Sequence, residues 1–229
     1  MLNETDRARI EAAIHQAEAR TSGEIYCVVA QESSDYLEVP LAWAAMAALV
    51  APAVLLTAGI HVTVPELGQG WTAAQMSEAA ETAARAALSG AILLQGALFV
   101  AVAIIAALPP VRRLLTPRAL KRHRVRRRAH EQFLAKSLQA TRERTGVLIY
   151  VSIDEHMAEL IADEGIAAKV DGQVWQAAMS RLIEGFKTGR PAEGFEAAIG
   201  LCVDILAEHF PARAGDNPNE LPDKVVLLP

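Results

Sequence analysis

Cysteine is scarce in this sequence, and complete catalytic motifs are absent from it. Only Cys27 and Cys202 occur among the 229 residues, and neither belongs to a CxxC or CxxCH pattern, which argues against a zinc site and against haem attachment. Each lies among apolar residues, so we expect two buried thiols in a reducing compartment. The sequence also lacks a P-loop, a CxxxxxR motif and a DxDx pair, and its six histidines are scattered. It therefore contains no recognisable set of residues for phosphoryl transfer.

Charge is missing from two long segments. Residues 41–60 and 90–108 contain no Asp, Glu, Lys or Arg. An apolar helix of about 20 residues, rising about 1.5 Å per residue, spans the roughly 30 Å hydrocarbon core of a bilayer. Only Thr57 and Gln95 interrupt the apolar surface, whereas the buried helices of a soluble core usually keep a polar stripe. We predict a transmembrane helical hairpin whose first span contains Pro52 and serves as the insertion signal.

Basic residues set the expected orientation of this hairpin. Nine of them and no acid lie between residues 112 and 128, whereas Arg85 is the only basic residue in the loop at 62–89. Lys and Arg near span ends stay in the cytoplasm, so we expect an inner (cytoplasmic) membrane protein with two spans and both termini cytoplasmic. A basic run also suits nucleic acid, but this one adjoins a span, where anionic headgroups are the nearest polyanion. The arginines expected at the membrane surface are Arg112, Arg113, Arg122, Arg126, Arg127 and Arg128.

The segments on either side of the hairpin predict one α/β domain. Residues 24–30 (EIYCVVA) and 147–153 (VLIYVSI) have the composition of buried strands, and we expect residues 157–162 to form a hairpin with the second of them. Neither half has enough apolar surface to fold alone. We therefore predict a small mixed β-sheet with helices on both faces, interrupted by the inserted hairpin. The expected parts are a first helix and strand (1–38), the transmembrane hairpin (39–110), a basic juxtamembrane segment (111–128) and the remaining domain (129–229).

Helical periodicity fills in the rest of this prediction. Asn3 can cap a first helix, and a crossover helix from Leu120 to Arg144 should bury Phe133, Leu134 and Leu138. This crossover would make the first two strands parallel neighbours. Two further helices have apolar faces around Trp175 and Phe195. Within the loop, an Ala-rich stretch at 72–88 predicts a short helix on or near the outer membrane surface.

Parts of the soluble segments carry a family likeness: TSGEIYCVV at 21–29, TGVLIYVSIDEHMAELIADEGI at 145–166, Trp175 and HFPARAGDNPNELPD at 209–223. In these residues the chain resembles the TPM domain family, which is named for thylakoid-lumen and photosystem-repair proteins and a metazoan receptor modulator. The likeness covers nearly all of the soluble domain, and the hairpin resembles an insertion found in a bacterial branch. The resemblance implies an α/β/α sandwich. It also implies acid phosphatase activity, a label attached to some plant members, and divalent-cation binding, often of calcium, which belongs to others. It implies no settled function for the membrane-anchored bacterial branch.

An acidic cluster is the best candidate for a functional site. Asp163, Glu164 and Asp171 lie between the end of a predicted strand and the next helix. Ligands of open α/β sheets bind beyond strand ends, and hard cations prefer carboxylate and carbonyl oxygens. Gly165 would let the backbone approach closely, and Asp216 could add an oxygen if the tail folds back. The same acids also suit helix N-termini and turns, so a structural role stays open.

We therefore expect a membrane-anchored, non-enzymatic protein that binds other proteins, for example in the assembly or quality control of membrane complexes. No cofactor is required, but the acidic cluster would accommodate a divalent cation, calcium or magnesium. The alternative is a membrane-anchored, metal-dependent acid phosphatase that uses this cluster. The expected partners are the lipid bilayer, a membrane protein and a second copy of the chain, packed through small and polar residues of the spans. Nucleic acid is not expected.

Overall fold

The chain forms two compact units in a computed structural model that describes residues 2–59, 72–141, 143–212 and 221–228. The first, the α/β unit, combines Met1–Asp35 with Pro117–Pro229. The second, the helical unit, is Tyr36–Thr116. The elements in chain order are α1 (Glu4–Glu18), β1 (Glu24–Ala30), α2 (Glu38–Thr57), α3 (Ala73–Ala107), α4 (Pro109–Leu115), α5 (Arg118–Ala135), β2 (Gly146–Ser152), β3 (Met157–Ala162), α6 (Glu164–Ala167), α7 (Trp175–Lys187), α8 (Pro191–His209) and β4 (Val226–Leu228).

The sheet of the α/β unit has the strand order β3-β2-β1-β4. Strands β1 and β2 are parallel from the pair Glu24 and Gly146 to the pair Ala30 and Ser152, and β3 joins β2 as an antiparallel hairpin. All residues of β1 and β2 are buried, because helices cover both faces of this central pair. The predicted mixed sheet is therefore confirmed. Strand β4, which runs parallel to β1, was not predicted.

Alternate residues of the central strands belong to two separate cores. Ile25, Val29 and Ile149 pack with apolar residues of α1, α7 and α8 on one face. Tyr26 and Leu148 belong to the second core, which is closed by α5. This alternation is the period of two expected of strands with a helical layer on each side. The arrangement is the predicted α/β/α sandwich, with α5 in the crossover between the parallel strands.

Helix α1 forms as its sequence predicts. The Asn3 side chain accepts a hydrogen bond from the Asp6 amide at 2.6 Å, which satisfies one of the amides left open at a helix start. Ile10, Ile14 and Ala17 follow at helical spacing and are buried against the sheet. The first helix is thereby fixed at its start by a cap and along its length by one apolar face.

The crossover helix ends nine residues earlier than the sequence indicated. Helix α5 stops at Ala135, Ser137 takes the left-handed conformation (φ 56°), and a 3-10 turn follows at Leu138–Ala140. This turn brings Leu138 into the second core, where its carbonyl lies 2.5 Å from the position that a Cβ on Gly146 would occupy. A continuous helix could not make that approach. Phe133 and Leu138 are buried as predicted, but Leu134 is 60% exposed, so the prediction for Leu134 was wrong.

The helical unit contains two helices that are long and apolar enough to cross a membrane, among the residues that the structure describes. The qualifying segments are Glu38–Leu55 within α2 and Leu88–Ala107 within α3. The predicted short surface helix at 72–88 is not separate, because α3 runs without interruption from Ala73. No proline lies between residues 73 and 107, and alanine favours helix there, so nothing stops the helix at the expected boundary. The 35 residues of α3 extend for about 52 Å.

Candidate functional site

Asp163 caps a very short helix at the end of β3. Its side chain accepts a hydrogen bond from the Glu164 amide at 2.6 Å, and Asp163 is only 5% exposed. The carbonyl of Asp163 accepts bonds from the amides of Ile166 and Ala167, which close the single turn of α6. The capping role that the sequence left open is therefore present in the structure.

Arg144 supplies the positive charge for this acidic pair. Its Nη1 lies 2.7 Å from Glu164 Oε2, and its Nε lies 4.0 Å from Asp163 Oδ2. That Asp163 oxygen is buried and has no hydrogen-bond partner among the described residues. A divalent cation at these two carboxylates would therefore have to displace the Arg144 guanidinium or share the carboxylates with it. Arg144, two residues before β2, has a positive φ of 55°.

The other two residues of the predicted metal site are not brought to this pair. Asp171 begins the 3-10 turn Gly172–Val174, where its side chain accepts the Gln173 amide at 2.9 Å. Asp216 lies outside the described residues. In the described ranges, no group of three or more His, Cys, Asp or Glu side chains is placed to hold a metal ion. Metal binding by Asp163, Glu164, Asp171 and Asp216 stays a prediction.

Gly165 does permit a close approach, but the approaching atoms belong to the chain itself. A Cβ at Gly165 would lie 2.6 Å from the Arg144 carbonyl oxygen and 2.9 Å from that of Glu143. These are backbone atoms of the segment that leads into β2. Because Gly165 has no side chain, α6 can pack directly against the backbone of this segment.

The position of the acidic pair in the sheet also differs from the sequence-based argument. Because β3 is antiparallel to β2, its end lies beside the start of β2, where the Asp163 amide donates to the Gly146 carbonyl at 2.9 Å. Asp163 is thus at the edge where the parallel strands begin. Ligands of open α/β sheets bind at the opposite edge, beyond the carboxyl ends of the parallel strands. The general rule that motivated the site does not apply to this end of β3.

A polar network occupies the carboxyl ends of β1 and β2. The Ser33 hydroxyl donates to Ser152 at 2.8 Å and lies 3.1 Å from the Tyr150 hydroxyl, while Ser152 donates to a Glu155 carboxylate oxygen. The second Glu155 oxygen accepts the Ser33 amide at 3.1 Å. Burial raises the pKa of Tyr150, so its hydroxyl keeps its proton. Because Glu155 accepts bonds from both Ser33, which follows β1, and Ser152, which ends β2, the network ties Ser33 to the end of β2.

Sequence reasoning missed this network because its members are far apart in the chain. The available signals were weak: Ser152 ends an otherwise apolar strand, and Ser33 follows the strand that pairs with it. Only the parallel register, which places Ala30 opposite Ser152, brings the two serines together. Carboxyl ends of neighbouring parallel strands meet at one edge of a sheet, so the location itself could have been inferred.

A cavity of about 480 Å³ lies beside the acidic pair at the amino-terminal edge of the sheet. Gly165 and Glu143 contribute to its lining, together with Ser22, Lys169 and residues 209–212. The Ser22 hydroxyl donates to Glu143 at 3.3 Å, and the Lys169 ammonium lies 4.3 Å from the centre of the Phe210 ring. Ser22, Glu143 and Lys169 therefore already have partners within the lining of this pocket.

The basic segment is divided between the two units. Arg112 and Arg113 lie on α4, and the other four predicted membrane-surface arginines lie on α5. Arg127 and Arg128 both pair with Glu131, at 3.0 and 3.3 Å, and these contacts lower the pKa of that carboxyl. Arg126 lies 3.7 Å from Glu159. Exposed pairs of this kind contribute roughly 0–1 kcal/mol, so an anionic headgroup could replace the carboxylate at little cost.

Comparisons with known proteins agree with the fold and with the predicted family. A family model described as TPM domain matches residues 111–205, which confirms the resemblance. Among solved structures, the NMR structure of BA42 protein from the psychrophilic bacterium Bizionia argentinensis is similar, with a TM-score of 0.55 and 18% sequence identity. That match covers 99% of this chain and 95% of BA42, and at this identity it supports the fold alone. No curated protein matches the chain.

Proposed function

We propose that this chain, which carries a TPM domain, is a membrane-anchored module whose α/β unit lies in the cytoplasm and binds other membrane proteins. In this proposal α2 and α3 cross the inner membrane, both termini are cytoplasmic, and the segment between the two helices is outside. The module acts by binding, as an assembly or quality-control factor for membrane complexes. A catalytic role is not part of the proposal.

The exposed apolar surface of α2 and α3 is the observation that carries this proposal. Leu49 is 72% exposed, Leu93 is 73% exposed and Ile104 is 63% exposed. Each fully exposed side chain of this size forgoes roughly 1.5–3 kcal/mol of apolar transfer free energy in water. Contiguous apolar surface on this scale is typical of a membrane or protein interface. Lipid is the environment that would cover such a surface along the full length of both helices.

The two polar side chains that interrupt the apolar runs, Thr57 and Gln95, have hydrogen-bond partners within the helical unit. The Gln95 amide on α3 donates to the Ala48 carbonyl on α2 at 3.3 Å. The Thr57 hydroxyl donates to the carbonyls of Ala53 and Val54 in its own helix. A polar side chain in hydrocarbon must find a partner within the protein, because no water is available there. Both interruptions of the apolar runs therefore favour a hairpin that is embedded in lipid.

The orientation in this proposal follows from charge. Residues 112–128 contain nine basic residues, and the described part of the opposite segment contains Arg85, which lies 3.3 Å from Glu81. The excess of Lys and Arg marks the cytoplasmic side. The basic segment can also hold the α/β unit near anionic headgroups. Each Lys or Arg close to the membrane surface contributes about 1 kcal/mol of electrostatic attraction.

Cysteine labelling tests the orientation without removal of the native cysteines. Cys27 and Cys202 are fully buried, and burial raises the pKa of both thiols, so neither should react with a maleimide. Glu78→Cys in the amino-terminal part of α3 should react with a membrane-impermeant maleimide in intact cells. Lys136→Cys, the matched control, should react only after permeabilisation. The reverse pattern, or a protein recovered without detergent in the soluble fraction, would overturn the proposal.

Enzyme assay tests the binding role against phosphatase activity. The purified full-length protein in detergent should hydrolyse a generic phosphomonoester no faster than its Asp163→Asn variant, with or without added calcium or magnesium. The presence of Arg144 beside both carboxylates supports this expectation, because the pair already has a counter-charge. Metal-dependent turnover that Asp163→Asn abolishes would replace the proposal with a membrane-anchored phosphatase.

A further inference from the structure

Strand β3 is the last strand on one side of the sheet, and among the described residues no strand pairs with its outer edge. All six of its residues are half-buried, whereas β1 and β2 are buried throughout. Edge strands that must stay unpaired are usually very short or carry a proline, a bulge or charged side chains. Glu159 is the only charged residue of β3, and the strand has neither a proline nor a break in its pairing with β2. By these criteria the edge is open to a further strand.

The pairing of β3 with β2 determines which backbone groups face outward. The Asp163 amide donates to the Gly146 carbonyl at 2.9 Å, and residues that bond to the neighbouring strand alternate along an antiparallel pair. Every second residue of β3 therefore directs its amide and carbonyl away from β2. These residues are Ala158, Leu160 and Ala162. An added strand would meet hydrogen-bond donors and acceptors at three positions along this edge.

The face of this edge that lies toward α7 is apolar. The side chains of the three outward-bonding residues pack against the first core, together with Met179 and Phe186 of α7, and all of them are half-buried. A cavity of about 60 Å³ lies between α7 and the start of β3, and its lining is apolar apart from Ser152 and His156. An apolar side chain gains free energy when it leaves water for such a surface. A strand added to β3 should therefore place apolar side chains on this face.

The opposite face of the edge is basic. Glu159 lies on this face, and its carboxylate is 3.7 Å from Nε of Arg126 on α5. Burial raises the pKa of this carboxyl, and the positive charges of Arg126, His130 and Arg122 oppose that rise. These three side chains are exposed and follow one another at intervals of four residues, so they form a line along α5. One acid is thus shared among two arginines and a histidine, and positive charge predominates on this face.

We propose that the edge of β3 binds an extended peptide segment of a partner protein, which adds a strand to the sheet. The peptide alternates apolar side chains toward α7 with acidic side chains toward Arg122 and Arg126 of α5. Its backbone pairs with Ala158, Leu160 and Ala162, so main-chain bonds provide affinity and the alternating side chains provide selectivity. This assignment rests on the binding role proposed above and deepens it by naming the surface and the chemistry of the partner.

A second copy of the chain fits this edge less well than an acidic peptide does. Antiparallel pairing of two β3 strands about a twofold axis would bring both α5 helices to the same face of the joined sheet. Arg122 and Arg126 of one copy would then approach those of the other, and like charges repel. An acidic strand places opposite charge there instead. Charge complementarity therefore selects the occupant.

Binding of labelled peptides to the full-length protein in non-ionic detergent tests this assignment. The probe is a peptide of about eight residues in which valine alternates with glutamate, and in its counterpart lysine replaces each glutamate. Fluorescence anisotropy should show that the glutamate peptide binds about tenfold more tightly or better. Amide exchange of residues 157–162 should slow when this peptide is bound, and exchange of residues 4–18 in α1 should stay constant.

Charge reversal on α5 separates recognition at this edge from general attraction to a basic helix. Arg126→Glu should abolish the preference for the glutamate peptide. Arg127→Glu is the matched control, because Arg127 is similarly exposed on the same helix but pairs with Glu131 rather than with Glu159. It should keep the preference of the wild type. Equal loss in both variants would overturn the assignment, since it would show attraction without a defined site.

A proline on the outer edge tests the backbone pairing. Ala158→Pro removes one outward amide, and proline is tolerated in an edge strand where the amide faces away from the sheet. It should weaken binding of the glutamate peptide by about fivefold, and urea denaturation checks that the variant folds. If it does not fold, the two arginine variants decide. Equal affinity for both peptides, unchanged exchange of residues 157–162, or an oligomer that Ala158→Pro dissociates would overturn the assignment. Each of these outcomes leaves the maleimide test of the membrane topology unaffected.

Discussion

Two apolar segments of similar composition have opposite environments in this molecule. Strand β2 is entirely buried between two helical layers, whereas the apolar part of α3 exposes Leu93 and Ile104. Both segments lack charge over their length, so hydrophobicity alone does not distinguish them. Length does: seven residues suit a strand in a core, and about twenty suit a membrane span. An apolar run therefore predicts burial in a protein core only when its length is considered as well.

Substitution of one isoleucine in each segment gives the largest expected difference. Ile149→Ala in β2 should reduce the free energy of unfolding of the α/β unit by about 3–5 kcal/mol, because Ile149 is fully buried and its truncation leaves a cavity in the core. Ile104→Ala should change the stability of the helical unit by less than about 0.5 kcal/mol, because that side chain faces outward. Hydrogen exchange of residues 146–152 and 73–107 in bicelles measures the two effects. Equal losses would show that Ile104 also lies in a packed interface.

Glycines allow a second comparison, with a smaller effect. Gly165→Ala would place a Cβ within 3 Å of two carbonyl oxygens and should destabilise the α/β unit by about 1–3 kcal/mol. Gly172→Ala is the matched control in the same unit, because no atom lies within 4 Å of its Cβ position. Urea denaturation of the purified protein in detergent measures both. Similar stabilities for the two variants would contradict the tight packing of α6.

Glu18 is one of the buried acids of the α/β unit, and burial raises its pKa from 4.5 to about 8. Because the pKa of Glu18 is raised in the folded state, its contribution to stability is fully present below about pH 4.5 and is lost as pH rises to about 8. Glu18→Gln should therefore be more stable than the wild type at pH 8, by on the order of 4 kcal/mol, and nearly equal to it at pH 4.5. Thermal unfolding across this range measures the difference. Parallel curves would show that Glu18 does not titrate in this window.

Gln95 provides the smallest expected effect and tests the helical unit. Gln95→Leu removes the hydrogen bond to Ala48 and should weaken packing of α2 on α3 by roughly 0.6 kcal/mol, the average for such bonds in membranes. Thr57→Val is the control, because its hydroxyl bonds only within its own helix in the described structure. Amide exchange of α2 in bicelles compares the variants. Loss of a dimer on Gln95→Leu would instead place this side chain between copies of the chain.

Elements with a strong local signal were predictable, and those fixed by distant contacts were not. The cap at Asn3, the buried strands β1 and β2, and the β3 hairpin follow from composition and spacing. Strand β4 did not, because three apolar residues form a strand only when β1 is available beside them. Helix α5 ends early because Leu138 packs against Gly146, and no local sequence pattern indicates this contact.

The candidate site was predictable only in part for the same reason. Asp163 and Glu164 were identified as a local acidic pair, and the structure places them together. Their counter-charge, Arg144, is supplied by the segment that precedes β2, and sequence spacing gives no signal for that contact. The Ser33 and Ser152 network depends on a pairing between strands that are roughly 120 residues apart.

That separation has a consequence for biogenesis. Glu24 emerges from the ribosome long before its partner Gly146, and at about 5–20 residues per second the delay is on the order of 6–25 s. During this interval β1 has no neighbour to pair with, while both apolar helices have already been translated. In the proposed membrane-anchored topology, insertion of α2 and α3 therefore precedes assembly of the sheet, and a factor that shields β1 until then would raise the yield of correctly folded protein.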